Sequence, residues 1–238
     1  MFAFSLWDAN NKRLFAARDR IGIKPYYYYT DGKMFVFASE IKSLLKHPGI
    51  SKVPNDNAIS NYLLFDHQID KQTWFKNIFS LDPGSYLLIE NYNLKFEKYW
   101  NIEYNIDYSR SFNSFKDELR DIIIKSVKSH WQSDVPVGAH LSGGVDSSTI
   151  VSIASTYLTT DLHTFSSAFD LGKEFDERKE IEIVARKFKT QHHQISTHHN
   201  DLIDNLSKII YHLDEPVVVP AILPMYRISE LVKKQELR

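Results

Sequence analysis

Leu141-Ser142-Gly143-Gly144-Val145-Asp146-Ser147-Ser148 follows directly on the apolar stretch Val135-Pro136-Val137-Gly138-Ala139. The order reads as a strand, a glycine turn and the hydroxyl-rich first turn of a helix. Such a junction aims unpaired backbone N–H groups and the positive end of a helix dipole at one point, which favours a phosphate. Gly143 and Gly144 allow positive φ and the close approach of an anion. Ser142, Ser147 and Ser148 add hydroxyl donors, and Asp146 offers a hard oxygen ligand suited to Mg²⁺. No lysine follows the glycines, so this is not the phosphate loop of kinases and GTPases. An aspartate in its place points to pyrophosphate gripped through a metal. The competing reading is a serine-capped helix after a buried strand.

Downstream of the loop, strands and helices alternate. Leu162–Phe169 and His192–Ile195 read as strands, and Phe175–Phe188 as a helix with Ile181, Val184, Ala185 and Phe188 inward. Leu202, Ile203, Leu206, Ile209, Ile210 and Leu213 line the next helix, which Asp214-Glu215-Pro216 breaks. Asp214 and Glu215 lie past the helix end and either face the sheet's carboxyl edge or simply end the helix before Pro216. Pro220 opens a final helix to about Lys234. This alternation predicts a parallel sheet with helices on its faces, and Ser142–Ser148 falls at the carboxyl end of its first strand, where such sheets bind ligands.

Upstream, the first hundred residues are β-rich. Phe2–Trp7 and Arg13–Ala17 flank one turn, Tyr26–Tyr29 and Lys33–Ala38 a second, and Ser85–Glu90 pairs with Leu94–Trp100 after the turn Asp82-Pro83-Gly84. Alternation along Tyr26–Tyr29 predicts two rings inward and two outward. Ser39–Lys46 reads as a helix capped by Ser39, and a second helix covers Ala58–Phe65. Arg18 and Asp19 either orient the core of this part of the chain or form a structural ion pair at a tight turn, with Gly22 as a turn glycine. The polar, aperiodic Asn101–Arg110 is placed as a linker, and from Phe112 the period is helical, with Phe112, Phe115, Leu119, Ile122, Ile123 and Val127 on one face. Strands first and α/β alternation later predict two domains, 1–105 and 106–238.

Composition narrows the function classes. Across 238 residues, 29 Lys and Arg against 30 Asp and Glu give no charge excess, so nothing points to nucleic acid or an anionic membrane. Apolar runs are too short to span a bilayer, and a cytoplasmic protein is the expectation. The absence of cysteine excludes thiolate chemistry within these residues. The His192-His193 and His198-His199 pairs lack zinc-protease spacing and read as packing or solvated groups.

With these motifs in place, the chain resembles the glutamine-hydrolysing asparagine synthetase family along essentially its whole length. Leu141–Ser148 looks like that family's PP-loop. Met1–Phe4, Ala17–Pro25, Phe37–Lys42 and Pro83-Gly84-Ser85-Tyr86 look like the later part of its N-terminal-nucleophile glutaminase domain. His192-His193, Asp214-Glu215-Pro216 and Pro224-Met225-Tyr226 fall in family order. The resemblance implies an α+β glutaminase-like part followed by an α/β PP-loop domain, both incomplete. It implies ATP and Mg²⁺, with glutamine and aspartate or a related carboxylate as substrates and a β-aspartyl-AMP intermediate. A homodimer is left open. Ser142, Gly143, Gly144, Ser147 and Ser148 would hold phosphate oxygens, Asp146 the metal, and the Leu141 backbone the adenosine. Ser167, in Phe165–Phe169, would stand beside the adenine, or is an ordinary strand serine. The family's N-terminal cysteine and its second acidic motif are missing, so an internal fragment, inactive alone, is the expectation. A relative acting on another carboxylate, as β-lactam synthetases do, and a non-catalytic nucleotide-binding module are the alternatives.

Overall fold

The computed structural model describes residues 1–158, 161–169, 176–217, 219 and 221–235. They form two compact units: Met1–Asn105 with Ile210–Val218, and Ile106–Ile209 with Val219–Arg238.

The first unit contains two antiparallel sheets. In one, β1 (Ala3–Asp8), β2 (Arg13–Arg18), β6 (Ser85–Glu90) and β7 (Asn93–Lys98) lie in that order. In the other, β3 (Tyr27–Thr30) is central between β4 (Phe35–Ala38) and β5 (Ile78–Ser80). The three hairpins fall where alternation and turn residues placed them, with Ala3 opposite Arg18, Tyr27 opposite Ala38 and Ser85 opposite Lys98. Ala16 and Leu87 of the first sheet share a core with Tyr26 and Tyr28, while Tyr29 and Ile78 pack with Ile41, Leu44 and Ile50 on the other face of β3. Both faces of β3 are therefore covered. Three of the four tyrosines are buried and Tyr27 is half-buried, rather than two in and two out.

Arg18 and Asp19 do not pair with each other. The Asp19 carboxylate accepts backbone N–H groups from Phe2, Ile21, Ile23 and Lys24 at 3.0–3.2 Å. Burial alone would raise its pKa; these four donors outweigh that and hold it well below the usual carboxylate range. The Arg18 guanidinium donates instead to the carbonyls of Gly22, Lys24 and Leu81 and to Ser80 Oγ. Gly22 has φ +72, and a Cβ there would stand 2.8 Å from the Pro83 ring, so this turn admits no side chain.

Helices α1 (Ile41–Leu44) and α2 (Asp56–Phe65) complete the unit. Asn55 caps α2 through the Ala58 N–H. The cap position of α1 is Glu40, not Ser39, and its side chain makes no cap bond. The donors of α1 are met by Asp214, which follows helix α6 (His199–Leu213).

The second unit is built on a parallel sheet in the order β10 (Gln191–Thr197), β9 (His163–Phe169), β8 (Gly138–His140). Strand β8 begins three residues later than Val135, because Pro136 cannot donate to the ladder. A core of Val127, Ala139, Leu141, Val151, Ala154, Leu162, Ile181 and Ala185 joins the sheet to α3 (Phe112–His130), α4 (Val145–Tyr157) and α5 (Arg178–Lys187). Helix α7 (Ile222–Lys234) packs on β9 and β10. The expected starts at Phe175 and Pro220 lie outside the described residues.

The inward faces are only partly inward. Phe112, Phe115, Leu119 and Ile122 of α3 are exposed, and burial begins at Ile123 and Val127. Leu202, Ile203 and Leu206 of α6 are exposed, with Asn205 and Ile209 buried. Among the described residues no helix is long and apolar enough to cross a membrane.

Candidate nucleotide site

The carboxyl end of β8 leads straight into the glycine bend. Leu141 is 1 % exposed and its N–H donates to the Phe165 carbonyl at 2.8 Å, carrying the β8–β9 pairing one residue further. The chain then turns at Gly143, where φ is +81. A Cβ on Gly143 would meet Glu180 Cβ at 3.0 Å, so this glycine makes room for helix α5 as well as for the turn. Gly144 differs. Its φ is −67 and it serves as the N-cap of α4. The positive φ expected at both glycines is needed at one.

Hydroxyls hold the bend in shape. Ser147 Oγ accepts the Ser142 N–H at 3.1 Å, lies 3.0 Å from Ser142 Oγ and donates to the Gly144 carbonyl at 3.3 Å. Ser142 Oγ accepts the Gly144 N–H at 3.4 Å. Ser148 Oγ is buried with no hydrogen-bond partner among the described residues. No side chain caps α4, so its first-turn N–H groups stay available to an anion.

Asp146 sits in that first turn, exposed, and no hydrogen bond or ion pair among the described residues engages its carboxylate. Mg²⁺ keeps several waters and is usually held by one or two carboxylates together with substrate phosphates. An unengaged carboxylate beside a phosphate-favouring helix end fits that donor set. No group of three His, Asp or Glu that could hold a metal exists among the described residues, so a protein-only metal cage is not offered.

A cavity of about 400 Å³ opens beside the bend, within the range of small-molecule sites. Leu141, Ser142 and Ser167 line it, whereas Gly143, Gly144, Asp146, Ser147 and Ser148 are not part of its wall. Ser167 is half-buried and its Oγ lies 2.5 Å from Thr197 Oγ1. Phe165 of the Phe165–Phe169 stretch lines the cavity as well, and so do His140 and Arg178, neither of which stood out as a site residue in the sequence. Arg178 is gripped by Asp176 through Nε and Nη2, both at 2.7 Å, which fixes a guanidinium at the start of α5. The only signal for it was its place before an apolar helix face beginning at Ile181. His192 belongs to the sheet, with Nδ1 3.0 Å from Thr164 Oγ1 and Nε2 3.1 Å from Ser166 Oγ. His193 stacks on His163 with ring centroids 5.2 Å apart.

A glycine bend and helix N-terminus at the carboxyl edge of a parallel sheet, beside a cavity, make an α/β unit of the arrangement at which open sheets take ligands. The chain belongs to the asparagine synthase family, whose model matches residues 118–238; a glutamine amidotransferase domain model matches residues 1–100. The chain is 36 % identical over 239 residues to a putative glutamine-hydrolyzing asparagine synthetase 2 from Methanocaldococcus jannaschii, covering 98 % of this chain and 46 % of that protein. It is 33 % identical over 243 residues to glutamine-hydrolyzing asparagine synthetase 1 from Bacillus subtilis, covering 98 % and 37 %. The chain thus spans less than half the length of these relatives. An NH3-dependent NAD synthetase from Campylobacter jejuni overlaps 54 % of this chain and 55 % of its own at 13 % identity and a TM-score of 0.34, too slight a likeness to bear on the fold.

Proposed function

We propose that this chain contributes to a glutamine-dependent ligase that uses ATP to activate aspartate or a related carboxylate for amide formation. Residues 1–105 are the later part of an N-terminal-nucleophile glutaminase domain, and 106–238 are the first part of a PP-loop synthetase domain. The products are asparagine, glutamate, AMP and pyrophosphate, with a β-aspartyl-AMP intermediate. The observation that carries the reading is the Ser142–Ser148 bend, with uncapped α4 donors and an unengaged Asp146 at the carboxyl edge of β8.

In this reading the α4 N–H groups, Ser142, Gly143, Gly144, Ser147 and Ser148 hold phosphate oxygens and stabilise charge on the departing pyrophosphate. Asp146 holds Mg²⁺, which supplies further charge neutralisation there. The Leu141 backbone and Ser167 face the adenosine from the cavity wall. The substrate carboxylate oxygen attacks the α-phosphorus as the bond to pyrophosphate breaks. Ammonia then forms the amide bond as the acyl–phosphate bond to AMP breaks.

The test is isotope exchange between pyrophosphate and ATP in the full-length protein, run against a panel of carboxylates. Exchange that requires aspartate, with amide product on adding glutamine, is the expected result. Exchange with a different carboxylate alone would move the reading to a sibling enzyme. No exchange with any of them, together with no ATP binding, would overturn it.

A further inference from the structure

Asp214 and Glu215 lie in the stretch that matches asparagine synthase, yet both are folded into the first unit, whose residues 1–100 match the amidotransferase model. Helix α6 ends at Leu213, and Asp214 turns the chain with φ 65 while its N–H donates to the Ile210 carbonyl at 2.9 Å. Its side chain is 6 % exposed. The carboxylate accepts the Ile41 N–H at 2.7 Å, the Lys42 N–H at 3.0 Å and Lys42 Nζ at 3.1 Å. Helix α1 lacks a cap from its own flank, so these bonds supply it from 173 residues away. Lys42 Nζ is also 3.2 Å from Glu40 and lies over the Tyr211 ring, 5.3 Å from its centroid. Glu215 Oε1 accepts the Trp74 N–H at 3.3 Å.

Asp214 is thus committed to backbone and ammonium donors of the first unit, and Glu215 to the Trp74 backbone. Ile41 and Leu44 of α1 in turn pack with Tyr29 of β3 and Ile78 of β5. Past Glu215 the same stretch of chain continues to Ala221 and Pro224, which line the cavity of the second unit. A carboxylate that caps α1 from just past the end of α6 makes the cap and the seating of Asp214 one equilibrium, and such coupling is reciprocal.

We infer that Asp214, seated with Lys42 on the first turn of α1, is a positioning residue that couples glutamine hydrolysis to amide formation and does not itself touch substrate. This rests on the ligase reading above. Three rates test it in the full-length protein: glutamate release, amide formation from glutamine, and amide formation from ammonium.

In Asp214→Ala, amide formation from ammonium keeps the unsubstituted rate. Glutamate released per amide formed rises about threefold or more, the order expected for loss of an N-cap. Asp214→Asn, which keeps one acceptor for α1, gives a smaller rise and guards against simple unfolding. An unchanged ratio in Asp214→Ala overturns the inference. So does a parallel fall in ammonium-driven synthesis, since that would place Asp214 in the synthetic chemistry. Absence of amide from the unsubstituted protein with either nitrogen source removes the ligase reading, and this inference with it.

Discussion

Ser142 Oγ and Ser147 Oγ lie 3.0 Å apart, closing the glycine bend on itself before any ligand arrives. The strand end and the first turn of α4 are joined by hydroxyls, leaving the backbone N–H groups of that turn free. Preorganisation of this kind matters because donors fixed in advance need no reordering when charge develops on a bound phosphate.

Ser147→Ala removes the acceptor of the Ser142 N–H and the cross-loop contact together. A hydrogen bond of this type is worth about 1 kcal/mol net, which is roughly fivefold in an equilibrium constant. The KM for ATP in the full-length protein should rise by about that factor. The melting temperature should fall by only about 2–4 °C, the shift expected of about 1 kcal/mol in a chain of this size. An unchanged KM would mean that the two serines do not shape the site.

Gly143 and Gly144 should respond unequally to alanine. At Gly143 the new side chain meets both a positive φ of +81 and Glu180 Cβ at 3.0 Å. The left-handed conformation alone costs roughly 1–2 kcal/mol for an L-residue. At Gly144 the backbone is ordinary and Ser142 Oγ, at 3.4 Å, is the nearest atom. Thermal melts of the two variants should show a clear fall for Gly143→Ala and little change for Gly144→Ala. Equal falls would mean that helix α5 does not press on the bend as described.

Asp146→Asn tests the metal assignment. The carboxylate ties nothing down among the described residues, so its loss should leave the melting temperature unchanged. Pyrophosphate exchange into ATP should fall by about a hundredfold or more, since a phosphate-bound metal contributes several kcal/mol. Glutamine hydrolysis should survive. Full exchange activity in this variant would assign the metal elsewhere.

Local chemistry was legible in the sequence, and remote partners were not. Alternation and turn residues placed the hairpins to within a residue or two, and the Ser142–Ser148 stretch announced its bend. Periodicity gives a face but not what covers it. Phe112, Phe115, Leu119 and Ile122 share a side of α3 and are exposed along it. The Asp19 network needed four backbone donors brought together by a turn. Its neighbour in sequence, Arg18, suggested an ion pair that geometry does not make. The cap of α1 could not be read at Ser39 or Glu40, because it comes from Asp214. Arg178 joins the cavity wall only because α5 starts beside the carboxyl edge of β9.

Three histidines of the second unit, His140, His192 and His193, should make its stability depend on pH. Burial lowers the pKa of His140; burial and then the charge of His193 lower that of His192; burial and then His163 lower that of His193. Glu182 opposes the shift at His192 without reversing it. Both hydroxyls, of Thr164 and Ser166, accept from the charged ring of His192, and with the neutral ring one of them donates to the bare nitrogen instead, so the penalty on the charged form is burial rather than a lost bond. Each of the three groups binds its proton more weakly in the folded chain than at the ordinary value of 6.5. In that window the unfolded chain carries more protons, so stability rises with pH and is lost as pH falls below 6.5. Urea midpoints measured between about pH 7 and pH 5, above the range where most carboxylates titrate, should decline with acid. His192→Gln, which keeps a donor and an acceptor for the two hydroxyls, should flatten that decline. A slope identical to that of the unsubstituted protein would show that His192 carries no share of it.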